Sequence, residues 1–127
     1  MNVAEIKRII VERGIRPNKK LGQNFLVSVE ARNRIIGVMR VTAADRVLEV
    51  GPGLGALTEL LVERAGRVTA VEIDAGFSRY LEERFRGADA FTLIHGDFLK
   101  NPPDGPFTKI VSNLPYYCSS EMLFSFA

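Results

Sequence analysis

Residues 45–55 read DRVLEVGPGLG, and the fold turns on how this stretch is taken. Val47 to Val50 reads as a short apolar strand, broken by glycines. Gly51 and Gly53 let the backbone come close to a ligand, and Gly55 lets a helix pack closely. ALTELLVERAG (56–66) then reads as an amphipathic helix that stops at Gly66. RVTAVEID (67–74) is a second strand. Asp74 is placed to cap the helix AGFSRYLEERF (75–85), whose Phe77, Tyr80, Leu81 and Phe85 fall at core spacing. AFTLIHGD (90–97) and FTKIVSN (107–113) are further strands, and KNPPDGP (100–106) between them is a surface loop. SSEMLFSFA (119–127) reads as the start of another helix. Strands alternating with helices imply parallel pairing and right-handed crossovers. The expected architecture is α/β, a Rossmann-like, doubly wound parallel sheet whose ligand sits at the carboxyl ends of the strands.

The chemistry gathers at those ends. Glu72 closes the second strand about twenty residues beyond the glycines, where a carboxylate can accept from both ribose hydroxyls of an adenine nucleoside. A nicotinamide dinucleotide and S-adenosylmethionine both carry that adenosine. Two features favour the sulfonium compound. Glu49 precedes the glycines, where a pyrophosphate would meet a negative charge. Asp97 and Phe98 follow the third strand, suited to an adenine amino group and an adenine ring; the plainer reading of Asp97 is a turn cap. The fourth strand ends in SNLPYY (112–117). There the Asn113 side-chain oxygen and the Pro115 carbonyl can each accept an N–H of a target adenine, with Leu114 between them and Tyr116 stacked on the base. Those two acceptors would draw the amino nitrogen toward a tetrahedral shape and aim its lone pair at a sulfonium methyl. Such catalysis is alignment and electrostatics, and needs no strong base. The base must be flipped out or unpaired to enter.

The remaining features set the frame. At 127 residues with 46% apolar content, the chain is the size of one small domain with a buried core. A single cysteine closes no internal disulfide, which points to a reducing, cytoplasmic setting. No apolar run reaches membrane-spanning length, and VAEIKRIIVERG (3–14) reads as an amphipathic helix rather than a cleavable signal. Ser28 is placed to cap a second helix running to about Arg40. Charge is uneven: residues 1–46 hold ten Lys or Arg against four Asp or Glu, and residues 47–127 hold seven against eleven. A basic arm on a mildly acidic body suits a polyanion approached from one side; a solvated helical face accounts for it equally well.

RPNKKLGQNFL (16–26), VLEVGPGLGALTELL (47–61), VEID (71–74), HGDFLK (95–100) and SNLPYY (112–117), in that order and spacing, resemble the ribosomal RNA adenine dimethyltransferases of the small-subunit type. The resemblance implies S-adenosylmethionine as cofactor and dimethylation of two adjacent adenines near the 3′ end of small-subunit rRNA during ribosome assembly. It implies cofactor contacts from Gln23, Asn24, Leu26, Glu49, Gly51, Gly53, Glu72, Ile73, Asp97, Phe98 and Asn113, with Phe25 helping to close the pocket. It places the target base on Asn113, Leu114, Pro115 and Tyr116, and it implies no metal. It divides the chain into an N-terminal helical arm with the GQNFL loop (1–46) and a partial methyltransferase domain (47–127). The partner that the resemblance implies is the immature small ribosomal subunit, with the basic arm expected to contact its RNA. Family members continue through further strands and a small helical domain. The expectation is therefore a piece truncated after the fourth strand, with that strand's outer edge unpaired, able to bind cofactor but not to methylate RNA.

Some residues have plainer roles. Cys118 reads as packing, and His95 as structural or at the rim of the site. Tyr117 is open between packing, stacking and surface, and Lys19 and Lys20 between phosphate contact and a solvated loop. Three other functions stay in view: a large-subunit adenine methyltransferase of the antibiotic-resistance type, a non-catalytic RNA-binding paralogue, and a nicotinamide dehydrogenase, which would leave the NLPY segment unexplained.

Overall fold

The computed structural model describes residues 29–114 and 121–126. Helix α1 spans Val29–Met39, β1 Arg46–Val50, α2 Thr58–Arg64, β2 Arg67–Glu72, α3 Ala75–Arg84, β3 Phe91–His95, β4 Lys109–Leu114 and β5 Glu121–Phe126. The strands form one sheet in the order β3-β2-β1-β4-β5. Its first four strands are parallel, as the alternation of strands and helices requires.

The position of β1 explains the apolar run at Val47 to Val50. β1 has a parallel neighbour on each side, β2 and β4, and Val47, Leu48 and Glu49 are all buried. A strand covered in this way reads as continuous rather than alternating hydrophobicity. Helices α1 and α2 close over β1, β2 and β4 through Ile36, Met39, Leu57, Leu61, Val47, Val68 and Val111. Helix α3 lies over β2 and β3, with Phe77 and Leu81 fully buried. Each such side chain contributes about 1.5–3 kcal/mol by leaving water. Asp74 caps α3 as expected, its Oδ1 accepting from the Phe77 N–H at 2.8 Å.

Two expectations change. Helix α2 ends at Arg64, short of Gly66, because Gly66 has another task. A Cβ at that position would lie 2.2 Å from the Ala43 carbonyl oxygen. The chain must pass that close for the Gly66 and Arg67 N–H groups to reach the Asp45 carbonyl. The second change is larger. Residues 121–126 form an antiparallel strand on β4, from Leu114↔Glu121 to Lys109↔Phe126, and not a helix. The outer edge of β4 is therefore paired. An open edge offers a row of backbone donors and acceptors, and a neighbouring segment rich in Met, Leu and Phe satisfies them better as a strand than as a one-turn helix.

At the amino ends of the strands, Asp45 ties the sheet together. It accepts from Thr42 N (2.7 Å), Thr108 Oγ1 (2.8 Å) and Lys109 Nζ (2.9 Å). Burial works against its charge, but Lys109 and the backbone and hydroxyl donors prevail and bring its pKa down to about 2. The opposite, carboxyl ends of the strands are left for the site. None of the described helices is long and apolar enough to cross a membrane.

Candidate functional site

The parallel register sets the site. Val50 pairs with Ser112, so Asn113 stands one residue beyond the end of β1, level with Gly51. Glu72 pairs with His95, so Gly96 and Asp97 follow directly beside it. The ladder continues past the strand ends: Gly51 N–H donates to Val71 O and Gly96 N–H to Glu72 O, both at 2.9 Å. Glu49, Gly51, Gly53, Glu72, Ile73, Asp97, Phe98 and the backbone of Asn113 and Leu114 are thereby brought to one edge of the sheet.

The glycine turn needs its glycines. Gly51, Gly53 and Gly55 have φ of 74°, 61° and 84°, in the left-handed region. This lets the turn fold onto Glu72. The Glu72 carboxylate is 2% exposed, with Oε1 accepting from Gly53 N (2.8 Å) and Oε2 from Asp74 N (2.9 Å). Burial raises its pKa against the pull of the Asp74, Gly53 and Ile73 backbone N–H groups, and the nearby Asp74 charge adds to the rise. A carboxylate offers about four acceptor positions. With one backbone bond on each oxygen, both oxygens retain capacity for a hydroxyl. A vicinal diol donates two hydrogen bonds and the two oxygens supply two acceptors, so the residues present fit an adenosine ribose.

Beneath the turn, Glu49 is 3% exposed and accepts from Thr58 Oγ1 at 2.5 Å. Burial pushes its pKa up to about 7; the Thr58 hydroxyl opposes the rise and the charge of Glu72 adds to it. Two buried carboxylates thus flank the glycine turn, an arrangement that favours a cationic ligand over a pyrophosphate. Ile73 is 42% exposed beside Glu72, an apolar surface at the crevice. Asp97 makes the turn cap of the plainer reading, with Oδ1 accepting from Leu99 N at 2.9 Å, and Phe98 is half-buried beside it. One bond on one oxygen leaves Asp97 able to accept an amino group as well. His95 sits exposed at the rim, its Nε2 3.2 Å from Ile73 O.

Gln23, Asn24, Phe25 and Leu26, and likewise Pro115 and Tyr116, lie outside the described residues, as do Ser28, Lys19, Lys20, Tyr117, Cys118 and the helix expected over residues 3–13. The structure also reveals partners that the sequence reading did not single out. Thr58 holds Glu49, and Arg32, Glu59 and Arg84 meet behind the glycine turn. The residues of each contact come from elements 9 to 27 positions apart, so no local pattern marks them.

This fold, with its glycine turn and acidic strand ends, is that of the Rossmann-like methyltransferases. The 23S rRNA methyltransferase ErmE superposes with a TM-score of 0.65 at 37% identity, over 73% of this chain and 38% of its own. A dimethyladenosine transferase from Plasmodium falciparum gives 0.67 at 28%, over 76% and 35%. The chain belongs to the ribosomal RNA adenine dimethylase family, whose sequence model matches residues 14–126. It is 44% identical to ribosomal RNA small subunit methyltransferase A of Dehalococcoides mccartyi, over 98% of this chain and 44% of that protein. A namesake from Borrelia garinii is 40% identical over 96% of the chain. The chain spans about 44% of the length of these curated relatives.

Proposed function

We propose that this chain is the cofactor-binding part of an rRNA adenine dimethyltransferase that uses S-adenosylmethionine. The observation that carries the reading is the pair of buried carboxylates on either side of the glycine turn, Glu49 and Glu72, in a chain of this family. When bound, the cofactor supplies an electrophilic methyl group on a sulfonium. Glu72 accepts from the ribose hydroxyls, Gly51 and Gly53 give the backbone room to approach, and Glu49 offers negative charge toward the cationic end. Asp97 accepts from the adenine amino group, with Ile73 and Phe98 against the ring. Gln23, Asn24 and Leu26 complete the pocket, and Phe25 helps to close it.

Asn113, Leu114, Pro115 and Tyr116 hold the target base. Their work is alignment: the amide and the main-chain oxygen take the two N–H bonds of the adenine amino group, and the ring of Tyr116 fixes the plane. The substrate is small-subunit rRNA in the immature subunit, approached by the basic arm of residues 1–46, and the protein is cytoplasmic. Support for the small subunit comes from the names of the relatives at 40–44% identity. A second reading, adenine methylation of large-subunit rRNA, draws on the 37% identity to ErmE.

Calorimetry with S-adenosylhomocysteine tests the cofactor site, and a chain that takes up none removes this reading. Methyl transfer from labelled cofactor to immature small-subunit particles, compared with naked large-subunit RNA, separates the two substrates once the chain is extended to the length of its relatives. The 127 residues alone bind cofactor without methylating RNA; dimethyladenosine formed by them in small-subunit particles overturns that.

A further inference from the structure

Glu59 stands in the first turn of α2 between two arginines from different helices. Arg32 of α1, 4% exposed, donates through Nη1 to Glu59 Oε1 at 2.5 Å and to the Ala56 carbonyl at 3.2 Å. Arg84, the last residue of α3, donates through Nη2 to Glu59 Oε2 and through Nη1 to the Leu54 carbonyl at 2.8 Å. Leu54 and Ala56 flank Gly55. The missing side chain of Gly55 is what admits Arg84: a Cβ there would lie 3.1 Å from Arg84 Nη1, 3.0 Å from Phe85 and 3.1 Å from Leu81.

Stability is a poor explanation for this cluster. Only Arg32 is buried, and desolvation offsets its attraction; Glu59 and Arg84 are 29% and 22% exposed, where an ion pair contributes little. Here two guanidinium groups share one carboxylate. Burial opposes the charge of Glu59, and Arg84 and Arg32 outweigh it, so the Glu59 pKa lies below its ordinary value. What the cluster does specifically is hold two carbonyls of one turn. Gly53, next to Leu54, donates its N–H to Glu72 at the other end of the same turn.

We propose that Arg32, Glu59 and Arg84 form a clamp on the outer side of the glycine turn that sets the spacing between the turn and the Glu72 carboxylate. All three are positioning residues: they act through the backbone of residues 53–56 and touch no ligand. The proposal rests on the cofactor reading above. Its logic is preorganisation. A turn already fixed in the binding geometry spares the ligand the cost of ordering it, and loss of one charge-assisted bond of this kind converts to about a tenfold change in affinity.

The test uses Arg84→Met, which keeps an apolar stem over Phe85 and removes both bonds, and Arg84→Lys, which keeps the charge and a single donor group. Two measurements are made on each: the dissociation constant for S-adenosylhomocysteine, and amide hydrogen exchange without ligand. The expected result is binding about tenfold weaker in Arg84→Met and partly recovered in Arg84→Lys, with faster exchange confined to residues 51–57 while β1 and β2 stay protected. Unchanged affinity and unchanged exchange in the turn overturn the clamp. Exchange rising equally in the turn and in both strands also overturns it, since that is general destabilisation. An unaltered chain that binds no S-adenosylhomocysteine overturns the cofactor reading and with it the affinity half of the proposal; the ordering of the turn is still decided by the exchange.

Discussion

Replacing Glu49 by Gln should make the protein more stable at neutral and alkaline pH. Glu49 is buried, its pKa pushed up to about 7 from an ordinary 4.5. The folded chain therefore holds a proton on Glu49 that the unfolded chain has released, across the interval between those two values. Stability falls wherever the folded state binds more protons, so the Glu49 contribution declines as pH rises from about 4.5 to about 7 and is level above. At 1.36 kcal/mol per pKa unit, the 2.5-unit interval corresponds to a loss of about 3 kcal/mol. Gln keeps the shape and an oxygen that accepts from Thr58 Oγ1, so the bond at 2.5 Å has a successor. It also removes the repulsion between Glu49 and Glu72. The expected difference, Glu49→Gln minus the unaltered chain, is near zero at pH 4.5 and climbs to about 2–3 kcal/mol in favour of the variant by pH 8. Urea unfolding at half-unit steps of pH, with ΔG extrapolated to water, measures it. Taking the difference cancels every other titrating group that the substitution leaves alone. A flat difference across pH 4.5 to 8, or a variant less stable at pH 8, would refute the reasoning. The same variant should bind S-adenosylmethionine more weakly, because the charge offered to its cationic end is gone.

Asp45→Asn should destabilise by about 1–3 kcal/mol at pH 7 through the bonds to Lys109, Thr108 and Thr42. Because the Asp45 pKa is depressed to about 2, its contribution is complete above pH 3.8 and fades as pH falls toward 2, so acid titration of the variant by circular dichroism should lack that component. Gly55→Ala forces a side chain into φ +84° and against Phe85, Arg84 and Leu81; urea unfolding should show a loss of about 1–3 kcal/mol. Asp74→Ala removes the cap on Phe77 N–H and should cost about 1 kcal/mol, with faster amide exchange in the first turn of α3.

The strands were legible because each prints its own local signal. RVLEV, RVTAVE and FTLIH are short and apolar with β-branched residues, and the glycines and Asp74 mark where the helices between them start. Alternation of the two element types then dictates parallel pairing. The last segment was not legible for a physical reason. EMLFSF has no strong preference of its own; its state is decided by the vacant edge of β4, a partner that local periodicity does not register. Gly66 reads as a helix stop because nothing within a few residues reveals that the Ala43 carbonyl oxygen lies 2.2 Å from where its side chain would start.

The site divides along the same line. Glu49, Glu72 and Asp97 lie at or within two residues of strand ends, so strand order alone puts them together, and a sequence can be read that far. What keeps them serviceable is long-range. Glu49 and Glu72 are two like charges buried within reach of each other, a pairing that works against folding and persists only if neighbouring structure holds it. Thr58 restrains the first of them, and Gly53 and Asp74 restrain the second. The arginines on Glu59 bind the turn to helices α1 and α3, and α3 packs directly against Gly55 through Leu81 and Phe85. The two arginines spend their hydrogen bonds on Glu59 and on the Leu54 and Ala56 carbonyls. That division of labour is expected where a protein must keep negative charge ready for a cationic ligand: the positive charge fixes the geometry of the turn through its backbone and is not spent on the site carboxylates.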